Sequence, residues 1–248
     1  FQDGLAELLL QQIDQTQQIT AEFVSSMSHN SRIPLNVIIG YRVSLRDAAG
    51  DYGRAQDVED LERVLEAARL QLSMMSDLLT FSELQDGRIE LEIDDFDAGV
   101  LAREAAHAYQ KDMALTLELG LGLGGARSDA AKLRHCLDQL LSNAAKYGKG
   151  RPVGLAVRRE GGELVFVVRD EGDGIDPALL ERIFEPLAQV EASSAEITGA
   201  GMGLAITLRL ARLLGGTLSV ESAPGEAPCF PLRFKALLEP ETAAALAA

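Results

Sequence analysis

The chain has 248 residues, 47% of them hydrophobic, enough for one large core or two smaller ones. Its 38 acidic residues against 23 basic ones leave a net charge of −15, which argues against a nucleic-acid partner, since that would need a basic footprint. Two cysteines without metal-like spacing fit a reduced intracellular setting, and no apolar run approaches the ~18 residues of a membrane helix. No signal-peptide pattern opens the chain, which starts inside a helical pattern, as expected of a fragment of something longer.

Residues 3–47 read as one long helix broken at Pro34, with Leu9, Ile13, Phe23, Met27, Leu35 and Ile38 near one stripe. Proline has no N–H to bond the carbonyl of Asn30, so the backbone should kink beside His29. Ser25, Ser26, Arg32 and Ile33 are the nearest helical neighbours of that histidine. Taken alone, a surface histidine near a kink is more often structural than functional. A turn-rich loop covers 48–53. Val58, Leu61, Leu65, Ala68, Leu72, Met75 and Leu79 then alternate spacings of three and four, a heptad seam. Two long helices and a short loop make an antiparallel hairpin whose stripes are half covered. Two copies would close a four-helix bundle, so the seam predicts a homodimer; packing against a second domain is the competing expectation.

The second half reads as α/β. Gln85-Asp86-Gly87 stops the second helix, and a strand-like run at 89–93 leads to a domain boundary near residue 93. Helices are expected at 98–111, 128–147, 177–184 and 202–214. Strands are expected at 115–119, 153–159, 163–169, 217–221 and 229–234, with a hairpin across Gly161-Gly162. The glycine-rich segment 120–125 matches G-x-G-x-x-G, but no acidic residue stands about 20 positions on, so it reads as a loop. The alanine-rich tail, 239–248, is expected to fray.

Four stretches of this half carry candidate chemistry. On a helix, Asn143, Lys146 and Tyr147 share one face and offer a carbonyl oxygen for a hard cation, an ammonium for phosphate and a ring for a base. An ordinary amphipathic helix with a polar edge would look the same. Asp170-Glu171-Gly172-Asp173-Gly174-Ile175 follows a strand. Its alternate glycines permit close backbone approach, and Asp170 could accept from an exocyclic amine. Gly199-Ala200-Gly201-Met202-Gly203-Leu204 opens a helix, where free N–H groups attract anions, and it is not a Walker A loop. Gly215-Gly216-Thr217 is a tight turn into a strand, more readily a helix stop than a ligand site.

In this order and spacing the four stretches resemble the N, G1, G2 and G3 boxes of the Bergerat-type ATP-binding domain of sensor histidine kinases. Ile183-Phe184-Glu185-Pro186 resembles that family's F box, and the segment from Ser28-His29 through Pro34-Leu35-Asn36 resembles its H box. The resemblance spans roughly 15–236 and implies an α+β chain. Residues 1–92 would form a dimerising helical hairpin carrying the phosphoacceptor, and 93–238 an α/β sandwich that binds ATP and Mg²⁺. His29 would take the γ-phosphoryl group and pass it to a response-regulator receiver domain. Asn143 would hold Mg²⁺, Lys146 would contact phosphate and Tyr147 would flank the nucleotide. Asp170 would accept from the adenine amine in a pocket shaped by Gly172, Gly174 and Ile175. Gly199, Gly201 and Gly203 would let 187–198 act as a lid over the phosphates, and Met202, Leu204 and Thr217 would also belong to the nucleotide site. A sensor domain would lie upstream, in a protein that is cytoplasmic or tethered to a membrane.

Several positions depart from the pattern. Asn30 stands where the family usually has a carboxylate, and an amide cannot take the ring proton. Ile33 replaces a residue that helps position water for dephosphorylation, so phosphatase activity should be weak. Gln139 and Leu187 replace the usual Asn of the N box and second Phe of the F box. Two readings follow. One is a slow kinase, since losing one general base costs about 10²–10⁴-fold. The other is a nucleotide-binding scaffold that docks a response regulator without much chemistry.

Overall fold

The computed structural model of the chain describes Val37, Ile38, Gly40 and residues 54–111, 113–188 and 201–235. His29, Asn30, Ile33, Gly199, the 48–53 loop, most of the first helix and lid segment, and the tail lie outside the described residues.

Helix α1 runs from Arg54 to Gln85. It stops where expected: Gly87 turns left-handed at φ +63°, and the Arg88 amide returns to the Glu83 carbonyl at 3.0 Å. Its described residues up to Leu78 belong to one compact unit, and those from Leu79 onward to a second. Along α1, Ala67 and Met74 are buried, whereas Leu72, Met75 and Leu79 of the heptad seam are 67%, 50% and 61% exposed. The side chains of Val58, Leu61 and Leu65 are outside the described set.

The second unit contains β1 (Asp94–Asp97), α2 (Ala98–Tyr109), β2 (Leu115–Leu119), β3 (Gly125–Ser128), α3 (Ala130–Tyr147), β4 (Val153–Glu160) and β5 (Glu163–Asp170). After β5 come two short 3₁₀ turns, then α4 (Gly203–Leu213), β6 (Thr217–Leu218) and β7 (Cys229–Lys235). The main sheet has the order β2-β4-β5-β7-β6; β2 runs parallel to β4, and every other neighbour pair is antiparallel. The expected hairpin is present, from Val153 opposite Asp170 to Glu160 opposite Glu163. Alternate residues of three strands (Leu155 and Val157, Phe166 and Val168, Leu232 and Phe234) are buried, as are Leu137, Leu141, Ile206 and Leu210 of α3 and α4, which pack on that sheet. Phe166 and Phe234 stack at 5.7 Å. Asp97 and Asp129 cap α2 and α3 by accepting from the Val100 and Lys132 amides at 2.7 and 2.9 Å.

Four expectations need correction. No strand forms at 89–93, because the buried Asp129 carboxylate accepts the Glu92 amide at 3.0 Å in place of a ladder partner. The strand begins at Asp94 and pairs with β3, which falls inside the stretch read as loop and helix start. The helix expected at 177–184 is two 3₁₀ turns, Pro177–Leu179 and Arg182–Phe184, the first capped by Asp176. The strand expected at 217–221 is only Thr217–Leu218, with Glu221 meeting Cys229 as an isolated bridge.

Candidate functional site

Strand β5 delivers Asp170 to the C-terminal end of α3. There the Gly148 amide donates to the Ala144 carbonyl at 2.9 Å, and a Cβ on Gly148 would lie 3.6 Å from the Asp170 Cβ. Helix end and strand end therefore touch. Asp170 is only 4% exposed. Burial pushes its carboxyl above the usual carboxylate range, and a hydrogen bond from the Gly172 amide to Oδ1, 2.8 Å, opposes that shift. Among the described residues this amide is the sole donor to the carboxylate. A buried carboxylate with acceptor capacity left over is suited to an outside donor such as an amine.

The loop after Asp170 is shaped by what glycine omits. A Cβ on Gly172 would stand 2.5 Å from Asp170 Oδ1 and 3.4 Å from the Tyr147 carbonyl. Gly174 has φ +84°, and a Cβ there would be 2.0 Å from the Ala223 carbonyl oxygen. The loop is thereby seated on the 221–226 segment: the Ile175 amide donates to Ser222 Oγ at 2.9 Å, and the Gly225 amide to the Asp173 carbonyl at 2.8 Å. On its other side, Asp173 pairs with Lys149 at 2.6 Å and Arg151 at 3.0 Å, cations that hold its carboxyl below the usual range.

The start of α4 meets α3. A Cβ on Gly203 would lie 2.5 Å from Gln139 Oε1 and 3.9 Å from Asn143 Nδ2. The free amides of an 11-residue helix thus open beside the half-buried Asn143. Lys146 and Tyr147 are exposed on the same face of α3. Just before α4, the Leu187 amide donates to the Gly201 carbonyl at 2.9 Å, and both residues are left-handed, at φ +64° and +67°.

The structure thus brings together Asn143, Tyr147, Asp170, Gly172 and Gly203, with Lys146, Gly174, Ile175 and Gly201 in the same local elements. Leu204 is half-buried on the first turn of α4. Met202 is fully buried and serves the core at that turn. Thr217 sits on the short edge strand opposite Arg233, and no described contact joins it to Asp170 or Asn143. Gly216 explains the turn before it, since a Cβ would be 2.2 Å from the Arg233 carbonyl oxygen. His29, Asn30 and Gly199 lie outside the described residues. Sequence reasoning missed Lys149, Arg151 and Ser222, which approach the loop only through tertiary packing. Among the described residues no group of three His, Cys, Asp or Glu side chains could hold a metal.

Residues 128–237 match the family described as histidine kinase-, DNA gyrase B- and HSP90-like ATPase, and 19–87 match the His Kinase A phospho-acceptor domain. The chain is 32% identical over 219 residues to the circadian input-output histidine kinase CikA of Synechococcus elongatus, covering 84% of this chain and 29% of that protein. It is 32% identical over 236 residues to the histidine protein kinase DivJ of Caulobacter vibrioides, covering 90% of this chain and 38% of DivJ. A solved structure of full-length ShkA in complex with AMPPNP superposes with a TM-score of 0.63 at 25% identity, over 92% of this chain and 47% of that one. The chain therefore spans well under half of the curated relatives it matches.

Proposed function

The chain belongs to the sensor histidine kinases, and on that premise we propose that it transfers the γ-phosphoryl group of ATP to His29, and from His29 to an aspartate of a response-regulator receiver domain. The observation that carries the reading is the meeting of the buried Asp170, the Gly172 amide, Asn143 and the opening of α4 in one place. Asp170 accepts from the adenine amine, and Gly172 leaves the base room to approach. Tyr147 flanks the nucleotide, while Lys146 and the α4 amides face its phosphates. Asn143 would hold Mg²⁺ through its amide oxygen, and the ion would neutralise phosphate charge. The protein's own share of the catalysis is positioning and charge complementarity.

We assign residues 1–92 to the phosphoacceptor hairpin, 93–238 to the ATP-binding domain and 239–248 to the tail. The exposed Leu72, Met75 and Leu79 support pairing of the hairpin with a second copy. No described helix is long and apolar enough to cross a membrane; we place the kinase region on the cytoplasmic side. Asn30 favours a slow kinase, with water taking the imidazole proton. Autophosphorylation of Asn30→Glu tests this: a large gain in rate supports the kinase, and no gain from a zero background supports a nucleotide-binding scaffold.

A further inference from the structure

We propose that the ion cluster of Asp173 with Lys149 and Arg151 is a positioning device that sets the base selectivity of the nucleotide pocket, by fixing the loop that presents Asp170. The inference rests on the nucleotide-binding reading above. Two of the three residues after Glu171 are glycines, which restrict the backbone least. Yet Asp170 owes its orientation to the amide of one of them, Gly172. Arg151 grips the loop on both sides of that glycine: Nη1 donates to the Glu171 carbonyl at 2.6 Å, and Nη2 lies 3.0 Å from Asp173 Oδ1. Lys149 takes the other carboxylate oxygen, Oδ2, at 2.6 Å. It does so from a left-handed backbone, φ +53°, a conformation a non-glycine residue adopts at a cost.

All three side chains are about half exposed or more. Surface ion pairs of this kind add little to stability, so this one's effect should be on geometry. Adenine presents an amine to the Asp170 carboxylate, whereas guanine presents an oxygen that the carboxylate repels. Discrimination between them depends on where that carboxylate is held.

The test compares Mg-ATP and Mg-GTP binding by calorimetry to the full chain, wild type and Asp173→Asn, Arg151→Ala and Lys149→Asn. The two nucleotides carry the same phosphates, so changes in phosphate attraction cancel in the affinity ratio. Each variant should lower the ATP-over-GTP ratio about three- to tenfold while leaving the thermal midpoint unchanged. Asp173→Glu should recover part of the loss, and Arg151→Ala with Asp173→Asn together should fall short of additivity. Variants that keep the wild-type ratio, whatever happens to ATP affinity itself, overturn the inference alone. A wild-type chain that binds neither nucleotide overturns the reading it rests on.

Discussion

Gly172→Ala is the sharpest single test of how the pocket is built. The residue has no left-handed backbone to lose, so alanine is conformationally allowed there. The new Cβ would stand 2.5 Å from Asp170 Oδ1, and the carboxylate must withdraw by about 1 Å to reach ordinary contact. That movement breaks the 2.8 Å bond from the Gly172 amide. Losing a hydrogen bond to a charged group costs about 1.5–3 kcal/mol, and replacing glycine recovers about 0.4–1 kcal/mol of unfolded-chain entropy. The net loss of stability should be about 1–2 kcal/mol, measurable by urea denaturation. The effect on ligand binding should be larger, because a carboxylate displaced by that distance would no longer meet the adenine amine at the proposed position. Calorimetry should give Mg-ATP affinity about ten- to a hundredfold weaker. A folded variant that binds Mg-ATP as tightly as the wild type would refute the placement of Asp170 in the pocket.

Asp170→Asn should stabilise the fold at neutral pH while weakening ATP binding. The folded carboxyl titrates above its unfolded value because burial penalises the charge, so wild-type stability is full below the unfolded pKa and falls as pH rises through the folded one. The variant's advantage in a denaturation series should therefore shrink towards acid pH; a constant or reversed difference contradicts the burial argument. Gly174→Ala and Gly203→Ala should part company in thermal melts. The first sets a Cβ against the Ala223 backbone at φ +84° and should cost roughly 2–5 kcal/mol. The second crowds the end of the Gln139 side chain and sits at ordinary contact distance from Asn143 Nδ2, so it should melt near the wild type yet weaken nucleotide binding. If the hairpin pairs with a second copy through this seam, as proposed, Leu72→Asp with Leu79→Asp should give a monomer in sedimentation where the wild type is a dimer, and an unchanged dimer would place the seam elsewhere.

The fold was legible wherever a period ran long enough. Strand β2 and the β4–β5 hairpin sit where alternation places them, and Gly87 ends α1 as its turn chemistry requires. Short elements were not legible: four residues, Gly125–Ser128, cannot display a period, and the Glu92 amide is claimed by an aspartate 37 positions away. Asp170, Gly172, Asn143 and Gly203, which box spacing singled out, come together in the structure. Lys149, Arg151 and Ser222 left no such signal, since their partners are reached only across loops. Met202, which the box resemblance places at the nucleotide, has a wholly buried side chain, so only its backbone is available to a ligand there.

The most direct measurement is phosphate incorporation from γ-labelled Mg-ATP into the full chain, with His29→Ala alongside. The account predicts a label that is acid-labile and base-stable in the wild type and missing from His29→Ala, since a phosphoramidate on an imidazole nitrogen has that stability profile. Label that survives in His29→Ala, or no label in a wild-type chain that still binds ATP, would contradict it.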